Sequence, residues 1–356
     1  MLNTFSDPYA AFAFWVGLAA IGLTLLLVLL IVFLRFKLRR DLRRERDFIA
    51  VWRPLLLDAV SEAQPGDPPD TLPELHARDH VFFLKLWVYL QESLRGSANN
   101  RLNDLARRLE CDAAARNFLR NGNRAERLLA ILALGHLRDL ASWEELAEQA
   151  SWRDNLVSIH AARAITRIDP LQATERLLPL LLARPDWGIA QVAGFLAEVR
   201  PAFGLRLTQN LLKVNRGYWL RALQLADTLR LELPLQSMLY LLEKSPSVET
   251  LVAALHLSSN LHLLPAIRPY LQHPDWRVRV EVARFLGRFG DVEDIASLQL
   301  LLMDRQWWVR YRAAQALVLM PFYGRQELQA LSATTDDALV RDMLRHVLAE
   351  HETMPA

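Results

Sequence analysis

A phrase of about fifteen residues occurs twice near the C-terminal end of this sequence. It reads HPDWRVRVEVARFLGRF from His273 and DRQWWVRYRAAQALVLM from Asp304, and aligning Leu286 with Leu317 sets the two copies 31 residues apart. The same pattern recurs elsewhere in the chain, mostly before these two copies, at a mean spacing of about 31 residues. The aligned positions are Leu134, Ile165, Leu196, Leu229, Leu255 to Leu257, Leu286, Leu317 and Leu348. Eight copies at one short period are typical of a repeat array.

Each copy predicts a pair of helices. Apolar residues recur at helical spacing from Val278 to Phe289, which predicts a first helix that we call the anchor helix. Small residues in its middle are expected to let neighbouring helices approach closely: Ala162, Gly194, Ala226, Ala254, Ala283 and Ala314. A second apolar helix follows, for which Asp169 and Asp291 are predicted N-caps and Pro170 a first-turn residue. No stretch alternates with period two, so the predicted fold class is all-α.

These features resemble the HEAT repeat family, in particular its short bacterial form. The family phrase is Asp, Val-Arg, Ala-Ala and Leu-Gly, which appears here as Asp275, Val278-Arg279, Ala283 and Leu286-Gly287. The copy that begins at Asp304 carries Val309-Arg310, Ala313-Ala314 and Leu317. The resemblance covers roughly residues 122–350. A 31-residue pair cannot bury its own apolar stripe, so neighbouring pairs must stack. The resemblance implies an α-solenoid that binds other proteins.

An uncharged stretch at residues 10–34 predicts a transmembrane helix. It is 25 residues long, contains Thr24 as its only polar residue, and would be about 37 Å long as a helix. A bilayer core is about 30 Å thick, so the helix spans it with some tilt. A cleaved signal peptide is the alternative, but residues 1–9 have no Lys or Arg, and Phe33-Leu34-Arg35 does not resemble a cleavage site. The sequence therefore favours a retained anchor.

A basic segment follows at residues 35–46 and predicts the orientation of this anchor. Its basic residues are Arg35, Lys37, Arg39, Arg40, Arg43, Arg44 and Arg46. The positive-inside rule places this flank in the cytoplasm and residues 1–9 outside, which predicts a single-pass protein of a bacterial inner membrane. The same cations also suit anionic lipid headgroups.

Residues 47–121 do not follow the repeat. We interpret them as divergent helices that cap the N-terminal end of the solenoid, which spans residues 122–350 and precedes a tail at 351–356. The first of these helices, from Asp47, is predicted to be interrupted at Pro54, and a Pro-rich linker is predicted at Gln64–Pro73. The apolar helix around Phe83 and Trp87 is expected in the core, or alternatively against the membrane or a membrane partner.

Composition and motifs argue against several classes of function. The net charge is +2, the basic flank supplies +5, and residues 47–356 carry about −2, so there is no net basic footprint for nucleic acid. Cys111 is the only cysteine. His76 and His80 have no third ligand at a useful spacing, and no P-loop, GxGxxG or GxSxG motif occurs. The sequence predicts no metal, no cofactor and no enzymatic activity.

Tryptophan and arginine residues near the starts of the anchor helices are the candidate partner-binding set. They are Trp187, Trp219, Trp276, Arg277, Arg279, Trp307, Trp308, Arg310 and Arg312. Trp and Arg are enriched in binding hot spots. Two alternatives stay open: the rings pack between neighbouring repeats, and the arginines of the Val-Arg pairs reach acidic groups as a structural ladder.

The predicted function is a membrane-anchored cytoplasmic scaffold that holds a protein partner. A more specific hypothesis is an accessory subunit of an inner-membrane complex such as an envelope polysaccharide synthase. The alternative is an enzyme or ligand-binding module that uses the concave face, as in the phycobilin lyases, whose short HEAT-like repeat is similar.

Overall fold

The computed structural model describes residues 8–60, 72–94 and 96–353, and within these ranges every regular element is a helix. The all-α fold class is therefore confirmed. The chain divides into two compact units, one ending at Ser142 and the other beginning at Trp143. Residues 1–7, most of the predicted Pro-rich linker and residues 354–356 lie outside the described part.

In its described residues, the first unit contains five α-helices. They are α1 (Pro8–Val60), α2 (His80–Ser93), α3 (Ser97–Arg108), α4 (Cys111–Asn121) and α5 (Arg124–Leu137). The core of this unit includes Trp52 of α1 and Phe83 and Trp87 of α2, all buried. Trp87 donates a hydrogen bond from Nε1 to the carbonyl oxygen of Leu102 at 2.9 Å, which satisfies its one polar atom. The apolar α2 helix is thus a core helix, as expected.

The prediction that the helix from Asp47 stops at Pro54 is wrong. α1 runs without interruption from Pro8 to Val60, with Pro54 inside it. Proline removes the hydrogen bond to the carbonyl four residues earlier, on Ala50. Both residues are exposed, so water can satisfy that carbonyl and the helix tolerates the proline. Part of α1 is long and apolar enough to cross a membrane, and its apolar window is not buried in the chain.

The second unit contains the following helices. They are α6 (Trp143–Ala150), α7 (Asn155–Ile168), α8 (Pro170–Ala183), α9 (Ile189–Leu196), α10 (Arg200–Asn210), α11 (Trp219–Thr228), α12 (Leu235–Lys244), α13 (Val248–Leu257), α14 (Leu264–Ile267), α15 (Trp276–Phe289), α16 (Asp294–Leu301), α17 (Trp307–Leu319), α18 (Arg325–Thr334) and α19 (Ala338–Thr353).

The anchor helices of the second unit stack in chain order. α7 contacts α9, α9 contacts α11, and the series continues through α13, α15 and α17 to α19. We call this series the anchor-helix row. The intervening helices contact one another beside it, α8 with α10 and α12 with α14. This is the stacking of helix pairs that the 31-residue period predicts.

Aspartates begin several helices. Asp154, Asp169 and Asp275 each accept hydrogen bonds from backbone N–H groups of the first turn that follows. Asp169 and Pro170 thus act as predicted. Asp291 does not: α16 begins later, at Asp294, because Asp291 instead accepts the N–H of Glu293 and binds the guanidinium of Arg268 at 2.6 Å.

Small residues in the anchor helices set the spacing of the row. Ala162, Ala226, Ala254, Ala283 and Ala314 are buried as expected, whereas Gly194 is exposed. The closest approach lies between α15 and α17, where a Cβ added to Gly287 would come within 2.7 Å of the Cα of Ala316. Glycine at this position lets the two helices touch, which explains the Leu-Gly element of the repeated phrase.

Candidate functional site

Two of the predicted binding tryptophans belong to the core. Trp187 is 0% exposed and Trp219 is 1% exposed. The indole N–H of Trp187 donates to Oγ of Ser158 at 3.2 Å, and the guanidinium of Arg184 lies 5.0 Å from its ring. Trp219 packs edge-on against Tyr240. Burial removes both rings from any partner-binding surface, which corrects the candidate set and favours the packing alternative at these positions.

Arg279 and Arg310 are the arginines of the Val-Arg pairs, and each binds the loop that precedes its own anchor helix. Arg279 donates to the carbonyl of His273 at 2.7 Å, and Arg310 makes the equivalent bond to Asp304 at 2.8 Å. Arg341, in the last copy, likewise donates to Thr335 at 2.9 Å. In each case the acceptor lies six residues before the arginine, so the side chain ties the anchor helix to the loop that enters it.

Arg279 also joins neighbouring copies. Its guanidinium makes two bonds to the carboxylate of Asp304, at 2.7 and 2.9 Å. Both side chains are largely buried, at 15% and 10% exposed. An ion pair with two hydrogen bonds fixes the relative orientation of the two side chains and also adds binding energy. This is the structural ladder that the sequence left open, and it removes Arg279 from the candidate binding set.

Trp276 and Arg277 lie at the start of α15 in an intermediate position. Trp276 is half-buried. Arg277 binds the carboxylate of Asp275 at 2.8 Å and that of Glu249 on α13 at 3.2 Å. The hydrogen bond to Arg277 is the main cause that lowers the pKa of Asp275. Arg277 therefore stabilises the contact between α13 and α15 and is only partly available to a partner.

Trp307 and Trp308 differ from the other three tryptophans of the candidate set because they are exposed, at 42% and 52%. Their rings meet edge to face with centroids 4.7 Å apart. The ring of Tyr311, one turn later on α17, stacks on Trp307 at 5.0 Å, and the imidazole of His346 on α19 lies 6.1 Å from Tyr311. We call these four residues the aromatic cluster. Its rings support one another and also face solvent.

Hydrogen bonds hold the aromatic cluster in place. Tyr311 donates its hydroxyl proton to Glu350 at 2.8 Å and accepts a bond from the amide of Gln315 at 2.7 Å. Desolvation, followed by the bond to Glu350, raises the pKa of Tyr311. Arg312 binds Gln315 at 2.8 Å and lies 6.0 Å from the Tyr311 ring. These bonds hold the ring of Tyr311, on which Trp307 stacks, before any partner arrives, which reduces the entropy cost of binding.

The sequence did not identify Tyr311, His346 or Glu350 as members of this cluster. Two spacings could have found the first two. Tyr311 is four residues after Trp307 and so lies on the same helix face, and His346 is one repeat period after Gln315. Glu350 follows His346 by one turn and pairs with it at 3.2 Å.

A chain of charges crosses the exposed face of the anchor-helix row. His256 on α13 lies 3.9 Å from the carboxylate of Asp227 on α11 and 3.2 Å from that of Glu281 on α15. The hydrogen bond with Glu281 is the main cause that raises the pKa of His256. Burial favours the neutral form of Glu281, but bonds from His256 and Arg284 outweigh this effect and lower its pKa.

A cleft of about 340 Å³ lies beside these charges, between α11 and α13. Its apolar lining includes Leu223 and Val252, and its charged groups include His256 and Arg277. These charged groups already bind one another across the helices, Arg277 with Glu249 and His256 with Glu281. They join neighbouring helices along the edge of the cleft.

Metal ligands and nucleophilic side chains are the other groups that an enzyme of this fold would need. Over residues 8–60, 72–94 and 96–353, no group of three or more His, Cys, Asp or Glu side chains could hold a metal ion. The thiol of Cys111 is buried, and desolvation, with a smaller contribution from Asp112, raises its pKa to about 12. This thiol is therefore a poor nucleophile.

The predicted membrane-flanking residues lie on α1 after its apolar part. Arg35, Lys37, Arg39, Arg40, Arg43 and Arg46 are exposed. Arg44 instead turns toward the rest of the first unit and binds the carboxylate of Asp79. Beside it, Glu45 binds Lys85 of α2 at 3.1 Å. The basic flank is thus part of one continuous helix. On one side of this helix, Arg44 and Glu45 bind Asp79 and Lys85.

Three features define a protein of the helical-repeat class: the stacked helix pairs, the arginines of the Val-Arg pairs that bind the preceding loops, and the buried alanines. Residues 237–318, from α12 into α17, match the model of the family described as HEAT repeats. This stretch of the chain is therefore similar to HEAT repeats, and the match includes the phrase from which the resemblance was first recognised. A search of curated proteins found no match to the chain.

Proposed function

We propose that this protein is a membrane-anchored scaffold that grips a protein partner through the aromatic cluster. In this proposal α1 crosses a bacterial inner membrane with residues 1–9 outside, and the HEAT repeats lie in the cytoplasm. HEAT repeats generally mediate protein–protein interaction, and an anchor raises the effective concentration of whatever they hold. The specific form is an accessory subunit of an inner-membrane complex such as an envelope polysaccharide synthase.

The observation that carries the proposal is the exposure of two adjacent tryptophans on a rigid helix. Exposed Trp is costly to leave in water, and its large ring supplies much contact area with few rotatable bonds. Trp and Tyr are among the residue types that dominate binding energy at interfaces. A supporting network that includes Gln315 and Glu350 holds the rings in one arrangement.

Membrane anchoring is supported by two features of α1. Its apolar part is exposed along its length rather than packed in the chain, and water is a poor environment for such a surface. The exposed cations from Arg35 onward suit the cytoplasmic side of a membrane. Failure of the full chain to stay in membranes washed with alkaline carbonate would contradict this part of the proposal.

A scaffold is favoured over an enzyme by the state of the polar groups on the exposed face of the row. Catalytic and ligand sites bring unpaired polar groups together around a cavity. Here His256, Glu281 and Arg284 bind one another, and Arg277 binds Glu249. They hold neighbouring anchor helices in register, which is a structural role.

The test compares two tryptophan variants of the full chain in mild detergent. In Trp307→Ala/Trp308→Ala, we expect the partner that co-purifies with the wild type to fall by about tenfold or more, since hot-spot side chains contribute about 2 kcal/mol or more each. The matched control is Trp152→Ala, because Trp152 is also partly exposed, at 37%, in the same unit. Helix content measured by circular dichroism checks folding.

The outcomes separate clearly. Retention of the partner by the double variant, or equal loss from the Trp152 control, would contradict the aromatic cluster as the contact. Loss from the double variant alone, with helix content unchanged, would support it.

A further inference from the structure

One side of α1 carries a row of arginines that neither the repeat fold nor the aromatic cluster uses. Arg39, Arg43, Arg46 and Arg53 are all exposed. At about 100° per residue, they lie within about 80° of one another around the helix. Ala50 and Leu57 continue the same line toward the end of α1. We call these six residues the arginine seam.

The seam lies on a different side of α1 from the surface that packs into the first unit. That surface is marked by Trp52 and Leu56, which are buried, and by Glu45, which binds Lys85. From the helical period, its centre is roughly 120° around the helix from the centre of the seam. The fold of the first unit therefore leaves the seam uncovered by α2 and α3.

The distance of the seam from the membrane surface determines what it can contact. The apolar stretch ends at Leu34, and at about 1.5 Å per residue Arg46 and Arg53 stand roughly 18 and 28 Å beyond that point. A headgroup layer is only about 5–8 Å thick. Because α1 is continuous, it cannot span the bilayer and also lie along its surface. Lipid headgroups can reach Lys37 and Arg39, but not Arg53.

A second copy of the chain is also a poor occupant. Two seams side by side would set arginine against arginine, and like charges in contact cost energy. The complementary surface is acidic. The positions Arg46, Ala50, Arg53 and Leu57 follow the i, i+4, i+7, i+11 spacing by which one helix contacts another.

We propose that the arginine seam binds an acidic α-helix of a neighbouring membrane protein, which runs alongside α1 above the cytoplasmic surface of the membrane. Carboxylates spaced by three and four residues on that helix would pair with Arg43, Arg46 and Arg53, and a small or apolar residue would meet Ala50. This inference rests on the membrane anchoring of the proposed function, but not on the aromatic cluster.

The test places a photo-activatable phenylalanine derivative at Ala50 of the full chain, in the membranes of its own cells. The position control is Val51, which is also exposed but lies about 100° around the helix. We expect Ala50 to crosslink to one membrane protein, through a segment whose Asp and Glu residues recur at helical spacing, identified by mass spectrometry of the joined peptides. Crosslinking at Val51 should be much weaker.

Matched charge variants sharpen the test. Arg46→Gln/Arg53→Gln should lower the Ala50 crosslink about fivefold, as expected for two exposed ion pairs. Lys37→Gln/Arg40→Gln removes the same charge closer to the membrane and off the seam, and should leave the yield within about twofold. Equal losses from both variants would show that the crosslink yield depends only on the net charge of α1. That result would contradict binding by the arginine seam.

Other products would also overturn the proposal. A crosslink to a second copy or to phospholipid, or a yield at Ala50 no higher than at Val51, would each contradict an acidic protein helix. Carbonate extraction of the same membranes separates the two hypotheses. A chain that is washed off contradicts the anchoring itself, whereas a chain that stays but gives no such crosslink contradicts the seam alone.

Discussion

Trp219 and Trp307 occupy corresponding positions, each as the first residue of an anchor helix, yet one is buried and the other exposed. Trp219 follows a short 3-10 turn, Arg216–Tyr218, and packs against Tyr240 of the next helix. Trp307 follows a bend and stacks on Tyr311 of its own helix. The comparison shows that one repeat position can hold the array together in one copy and face solvent in another.

The largest effect expected from this comparison concerns stability. Trp219→Ala should lower the free energy of unfolding by about 3–5 kcal/mol, because it removes a large buried side chain and leaves a cavity. Trp308→Ala, at an exposed position, should change it by less than about 1 kcal/mol. Urea unfolding of both full-length variants, followed by circular dichroism, measures the difference. Similar losses in the two variants would contradict the distinction.

A smaller effect is expected from the arginines at neighbouring positions. Arg279→Met keeps the length of the side chain but removes both bonds to the largely buried Asp304, and should cost about 2 kcal/mol. Arg312→Met removes a bond to Gln315 nearer the surface and should cost less than about 1 kcal/mol. The same unfolding measurement applies. An Arg279 variant as stable as the wild type would show that the ladder contributes little.

The smallest effect concerns the third kind of contact in the row, the charge chain through His256. Its pKa is raised in the folded chain from an ordinary 6.5. A raised pKa stabilises the fold below about pH 6.5, and this contribution is lost as the pH rises through the folded pKa. His256→Gln should therefore lose more stability at pH 6 than at pH 9.

Glu281 provides the control for that measurement. Its pKa is lowered, so its contribution holds above about pH 4.5 and is lost as the pH falls through the folded value. The two contributions coincide near pH 6. In a Glu281→Gln background, His256→Gln should show a much smaller pH dependence. An undiminished dependence would assign it to Asp227 or another neighbour instead.

Periodicity was enough to predict the repeat array. Each of the eight aligned positions falls in an anchor helix or, for Leu229, directly after one, because the apolar spacing reflects the buried side of each helix. Asp169 and Pro170 begin α8 as predicted, since their capping role depends on local chemistry alone. Such features need no knowledge of the neighbouring helices.

Features that depend on neighbouring elements were predicted less well. Gly194 was expected to face the next helix, but Ala193 is the buried small residue in that copy. Asp291 was expected to begin a helix, but Arg268, which lies in the preceding copy, binds its carboxylate. The tryptophans were grouped together because they share a position, whereas their burial depends on the loop before each helix.

The contact between Gly287 and Ala316 also has a mechanical consequence. The joint between α15 and α17 has helix backbones almost in contact and is crossed by the two-point pair of Arg279 with Asp304. A close-packed joint with little free volume resists both shear and extension. Under tension the second unit would therefore stretch first at its looser joints, and α15 with α17 would behave as a stiff block that carries three of the four residues of the aromatic cluster.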